Sequence, residues 1–160
     1  MASKLPVLRQ VAWFSLLPQF VIMTSIGLLF YLFSPQNLIL KSAVCYLLLS
    51  FVLRSVIPVQ HRWGIRLVKK KQFEEAIPFF QSSAQFFTKY KWIDRYRFIT
   101  LLSSSRISYL EMAMLNEAFC LSQIEKRTDA VKKYEEVLTL FPDSDIARTA
   151  LKMMGHKIKE

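Results

Sequence analysis

VAWFSLLPQFVIMTSIGLLFYLF, residues 11–33, runs for 23 positions without a charged side chain. A hydrocarbon core about 30 Å thick is crossed by about 20 such residues as a helix, so the stretch predicts a membrane span over 11–33. Pro18 and Gln19 interrupt it. In a membrane helix a proline is tolerated where neighbours take up the freed carbonyl, and an amide can hydrogen-bond to a facing helix. The pair therefore reads as a local kink with a satisfied polar group rather than a transport site. Ser15, Thr24 and Ser25 add hydroxyls suited to interhelical hydrogen bonds.

A second apolar run occupies 38–57, with an uncharged centre of only 12 residues from Ser42 to Leu53. Length alone would suit a re-entrant or interfacial segment. Lys41 and Arg54 lie near its two ends, however, where long side chains snorkel to the headgroups, so the whole stretch can cross. The connection Ser34-Pro35-Gln36-Asn37 has turn chemistry and is short enough to enforce an antiparallel hairpin. The first run is too long for the core of a cleaved signal peptide, and a second follows at once.

Charge supports the same partition. The chain of 160 residues carries a net charge of +10, which by itself would suggest nucleic-acid binding. All 12 acidic residues lie at or beyond Glu74, whereas residues 1–71 hold nine Lys/Arg and no acid. Residues 72–160 carry 13 basic and 12 acidic side chains and lack the phosphate-seeking surface that nucleic acid requires. Lys4 and Arg9 precede the first span, and Arg54, Arg62, Arg66, Lys69, Lys70 and Lys71 follow the second. Because cytoplasmic flanks are basic, both termini are expected inside, in the plasma membrane, with those six residues at the lipid surface. Trp13, Tyr31 and Trp63 fall near the expected interfaces. Cys45 in the lipid-facing run and Cys120 in an apolar helical pattern suggest no disulfide.

Beyond Pro58 there are only two glycines and no alternating β-branched stretch, so an all-α domain over 59–160 is predicted. Phe73, Ala76, Ile77, Phe80, Ala84 and Phe87 recur at three- and four-residue steps. Pro78 predicts a late start or a bend in that helix. A short inserted helix is expected over about 92–102, before Ser103-Ser104-Ser105. Ser108 and Glu111 have capping-box spacing. In the helix that follows, Met112, Leu115, Phe119 and Ser122 share a side, and Lys126 and Arg127 are expected to close it. Next, Ala130, Tyr134, Val137, Leu138 and Phe141 face inward up to Pro142, and Asp143 or Ser144 caps a last helix over about 144–154.

The stretch DAVKKYEEVLTLFP, residues 129–142, resembles the second helix of a tetratricopeptide repeat: Ala130, Tyr134, Val137, Leu140 and Pro142 fall on its patterned places, with Ala118 at the small residue of the first helix. An earlier copy is similar, with Gly64, Phe73, Ala76 and Phe80 on corresponding places. Ser83 replaces the usual Ala, Thr88 the Pro, and Arg127 the second copy's turn aromatic; Ala76 and Ala130 are 54 residues apart rather than 34. The resemblance implies helix pairs over about 60–90 and 108–141. It further implies a protein partner in a groove lined by the first helices, at Asn116, Phe119 and Gln123 and, in the earlier copy, at Arg62 and Lys69. Two copies fall short of the three that a free-standing stack needs, so the inserted helix, the last helix or a partner, a second copy included, must cover the remainder.

No arrangement of catalytic residues emerges. His61 and His156 read as solvated or interfacial, and the adjacent pairs Glu74-Glu75 and Glu135-Glu136 as solvated faces. Without zinc-ligand spacing or a glycine-rich phosphate loop, no metal, cofactor, small-molecule substrate or enzymatic activity is implied. The expectation is a membrane-anchored helical-repeat interaction module or scaffold on the cytoplasmic face. Its rival is an accessory subunit of a membrane complex whose transmembrane hairpin is the functional part.

Overall fold

The computed structural model describes residue 13, residues 16–33 and residues 36–156. Lys4, Arg9, Ser15, the start of the first span and two residues of the connecting turn lie outside them. The fold is all-α, and the described residues form no strand. The elements are α1 Leu16–Phe33, α2 Leu38–Val56, α3 Val59–Lys69, α4 Phe73–Lys89, α5 Lys91–Arg95, α6 Arg97–Thr100, α7 Tyr109–Gln123, α8 Arg127–Leu140 and α9 Asp145–Met153. They sort into two compact units. One joins residues 9–58 with 91–106; the other contains 59–90 and 107–160. The insertion between the helix pairs thus belongs with the apolar hairpin, which a division after Pro58 does not anticipate.

In the hairpin unit, α1 packs against α2 and α6. Both long helices are apolar and long enough to cross a membrane, at 18 and 19 residues. Their burial is inside-out. The buried residues of α2 are Ser42 and Ser50, α1 has none, and Leu28, Leu32, Leu47 and Phe51 are all exposed. A helix pair in water would bury its leucines and expose its serines. Small residues bring the two backbones together, and a Cβ on Gly27 would lie 3.7 Å from Ser42 Oγ. The Ser42 hydroxyl donates to the carbonyl of Leu38 at 2.8 Å. Pro18 is the third described residue of α1, and the two residues before Leu16 lie outside the described ones.

In the second unit each helix packs against the next, α3 on α4, α4 on α7, α7 on α8 and α8 on α9. One cluster joins Val68, Ala76, Phe80 and Cys120; another joins Leu115, Ala118, Tyr134, Val137, Ala147 and Leu151. At the 54-residue offset α4 and α8 correspond closely, whereas α3 and α7 coincide only in part, because α7 buries Ala113, Met114, Glu117 and Cys120 where α3 exposes Val59, Gln60, Trp63 and Arg66. Gly64 and Ala118, Ala76 and Ala130, Phe80 and Tyr134, and Ser83 and Val137 are all buried. Their turns match as well. Lys71 and Glu125, one offset apart, have φ of 62° and 61°. The following amides close the same six-residue turn, Gln72 N–H to Leu67 O at 3.0 Å and Lys126 N–H to Leu121 O at 3.1 Å.

Gly64 is where the first pair comes closest, since a Cβ there would lie 2.7–3.0 Å from three atoms of the Phe80 ring. Phe80 is fully buried, so its ring cannot swing out to solvent without unpacking the cluster around it. Gly64→Ala is therefore expected to destabilise the unit by about 1–3 kcal/mol, the cost of overpacking, measured by chemical unfolding of the full chain in detergent micelles. An unchanged midpoint would contradict this packing.

Several local expectations change. α4 starts at Phe73 and continues through Pro78, which is exposed, so the carbonyl four residues back can turn to water. The inserted helix is two short ones, α5 and α6, parted at Tyr96. The Ser108 hydroxyl accepts from the Glu111 amide at 3.0 Å, as its spacing implies. Ser144 occupies the start of α9, but its buried hydroxyl has no hydrogen-bond partner. Lys126 and Arg127 do not close α7, which ends at Gln123; Arg127 begins α8. Its guanidinium donates instead to the Met154 carbonyl at the end of α9, where a helix dipole favours a cation.

Candidate functional site

α7 is enclosed by α4 and α8. Ala113, Met114, Leu115, Glu117, Ala118 and Cys120 are buried, whereas Asn116 and Phe119 are half-buried and Gln123 is exposed. The residues expected to line a groove thus lie on the more accessible side of this helix. They are not equally free. The Asn116 amide donates to the Met112 carbonyl of its own helix at 2.8 Å, and Gln123 lies 3.4 Å from the Ser122 hydroxyl. Phe119 meets Phe73 edge-on at 5.9 Å, which turns it toward the first pair's core. On α3, Arg62 is half-buried and Lys69 exposed. Arg66 sits over the Trp63 ring at 4.8 Å, and Lys70 and Lys71 are exposed. Gln81 donates to the buried Glu117 carboxylate at 2.8 Å, and Lys133 approaches its other oxygen at 3.6 Å. One carboxylate ties α4, α7 and α8 together.

His61 departs most from its sequence reading. It is buried, with its ring edge-on to Phe80 at 5.6 Å and to Tyr109 at 5.8 Å, and Nδ1 has no hydrogen-bond partner. The signal was its spacing: His61, Gly64 and Val68 share the face of α3 that is buried. Burial lowers its pKa from 6.5 to about 4. The unfolded chain therefore takes the proton more readily, so stability is full above pH 6.5 and falls as the pH drops toward 4. The slope is about 1.4 kcal/mol per pH unit. His61→Leu, which copies Leu115 one offset on, is expected to remove that slope; an unchanged slope in urea unfolding at stepped pH would exclude His61 as its source. His156 instead contacts the Glu135 carboxylate at 2.8 Å on the exposed side of α8.

The hairpin unit holds a polar arrangement at its open end. α6 stops at Thr100, and Leu102 takes a left-handed φ of 47°, so the carbonyls of Leu101 and Leu102 are not consumed by a continuing helix. Gln19 Nε2 donates to Leu102 O at 3.2 Å, and Arg54 Nε to Leu101 O at 3.3 Å. Arg54 Nη2 also donates to Leu102 O. Tyr46 OH lies 3.5 Å from Gln19 Oε1. Leu101 and Leu102 are fully buried. Gln19 is three residues from the start of α1 and Arg54 two from the end of α2, so both mark the same end of the hairpin. Arg54, itself exposed, makes these bonds in addition to the headgroup contact its position suggested. Spacing could not reveal them, because the acceptors are backbone carbonyls of a distant loop. Ser25 donates to Val21 O within its own helix at 2.8 Å.

Neither a protein-family model, nor a curated protein, nor a solved structure matches the chain.

Proposed function

We propose that the protein is a membrane-anchored interaction module: α1 and α2 span the plasma membrane, and α3, α4, α7 and α8 form a tetratricopeptide-like stack on the cytoplasmic face that binds a protein partner. It works as a scaffold, without catalytic chemistry or a cofactor. The observation that carries this reading is the 54-residue correspondence of α4 with α8 and of the turns before them, which supports descent from one helix-pair unit. Such a pair leaves an accessible face on its first helix, and on α7 that face bears Asn116 and Gln123. The inside-out burial of α1 and α2 supports the anchor, and the basic flank at Arg62, Arg66 and Lys69 to Lys71 supports its orientation.

The exposed apolar surface of the hairpin favours a second reading, an accessory subunit that packs Leu47 and Phe51 against another membrane protein. Gln19 is a weaker hook for that partner, being engaged by Leu102 and Tyr46. Photoreactive residues introduced singly into the full chain separate the two. Trapping of one discrete partner from positions 116 and 123, and not from the exposed position 132, supports the groove. Trapping from 47 and 51 alone would transfer the function to the hairpin.

A further inference from the structure

Between the two helix pairs, α5 and α6 expose one consistent side. Lys91, Trp92, Arg95, Tyr96 and Ile99 are exposed, while Ile93, Arg97, Phe98 and Thr100 are half-buried and Asp94 is buried. The exposed positions recur at helical steps, since Tyr96 N–H still bonds to Trp92 O at 3.0 Å and Thr100 N–H to Tyr96 O at 3.0 Å. This side reverses the usual polarity of a solvated helix. Its aromatic and apolar members face outward, 58% exposed at Trp92, 54% at Tyr96 and 52% at Ile99, and the one carboxylate of the segment is turned inward.

The same unit fixes the level of this surface. Arg97 ties the segment into a closed piece, donating to Asp94 O at 3.1 Å and Ser105 O at 3.0 Å. Leu101 and Leu102 then hold that piece to Gln19 and Arg54 at the open end of the hairpin. Counted from the turn, Gln19 and Arg54 stand about 21–24 Å along their helices at 1.5 Å per residue, toward the far boundary of a hydrocarbon core about 30 Å thick. Trp and Tyr concentrate at that boundary, and Lys and Arg beside them meet anionic headgroups.

We propose that α5 and α6 are a third membrane-contacting element, seated in the headgroup layer with Trp92, Tyr96 and Ile99 entering the lipid and Lys91 and Arg95 against anionic headgroups. This rests on the reading of α1 and α2 as spans. The segment joining the two helix pairs is then held by the membrane.

The test uses the full chain reconstituted in vesicles of phosphatidylcholine and phosphatidylglycerol, with Trp13→Phe and Trp63→Phe leaving Trp92 as the only tryptophan. A parallel chain, Trp13→Phe, Trp63→Phe, Trp92→Phe and Leu47→Trp, reports the hairpin, and matched circular dichroism shows that both chains keep the helical content of the parent. Lipids brominated near the headgroup are expected to quench Trp92 more than lipids brominated deep in the chain, with blue-shifted emission. Deep bromines are expected to quench the Leu47→Trp probe. Quenching of that probe with no quenching of Trp92 would overturn the third contact and leave the hairpin standing, and blue-shifted but unquenched Trp92 would place a second copy there and overturn it too. If neither probe is quenched, the spans themselves fall.

Discussion

Phe80→Ala is expected to destabilise the helix stack by about 3–5 kcal/mol, the range for removing a fully buried aromatic ring. Phe80 is 0% exposed and belongs to the cluster with Val68, Ala76 and Cys120, while His61 meets its ring and Gly64 its edge. α3 has no side chain at Gly64 to refill the space, so the cavity persists. The arrangement also predicts a coupling. Gly64→Ala is harmful because of the ring, and in the Phe80→Ala background its added methyl enters the cavity and restores part of the loss. Four urea titrations of the full chain in micelles measure this cycle. Additive effects would mean that Gly64 and Phe80 do not meet.

The second large effect is expected at Arg54. Its guanidinium donates to the carbonyls of Leu101 and Leu102, and Arg54→Leu would leave the carbonyls of these two fully buried residues with fewer donors. Hydrogen bonds from a charged donor contribute about 1.5–3 kcal/mol each. Arg54→Leu loses both, so the population of the opened loop rises by at least the roughly tenfold to hundredfold that one such bond is worth. Hydrogen exchange reads this directly, since the amides of Leu101 and Ser103 both bond to Arg97 O at 3.1 Å within the loop that Arg54 secures. Their protection is expected to fall by that factor while amides in α7 keep theirs. Arg54→Lys should fall between, because an ammonium cannot serve the two carbonyls in the fork geometry of a guanidinium. Unchanged protection in Arg54→Leu would detach the loop from the hairpin.

What could be read in advance was what depends on periodicity. The apolar runs gave α1 and α2, the three- and four-residue recurrence through Ala76, Phe80 and Phe87 gave the buried face of α4, and Ser108 with Glu111 marked the start of α7. What escaped depends on contacts between distant elements. His61 is polar by type but buried by register, three residues before Gly64 on the same face. Arg127 stands at the wrong helix end for its charge until α9 brings the Met154 carbonyl to it. Residues 91–106 carry too short a period to show their allegiance, which rests on carbonyls that composition cannot display. Of the residues expected to line a groove, Asn116 and Gln123 were legible as positions on α7, but the turning of Phe119 onto Phe73 depends on α4 packing beside it.

The central claim is that two spans leave the helix stack on the cytoplasmic side, and labelling by a membrane-impermeant maleimide in intact cells tests it most directly. Cys120 can stay native, because it is fully buried and its thiol is pushed up to about 12 by burial and the nearby Glu117 charge. With Cys45→Ala as background, Gln36→Cys places a thiol at the exposed hairpin turn and Asp129→Cys one on exposed α8. The account predicts that the thiol at 36 labels in intact cells and the thiol at 129 only after permeabilisation. Labelling at 129 in intact cells would contradict it.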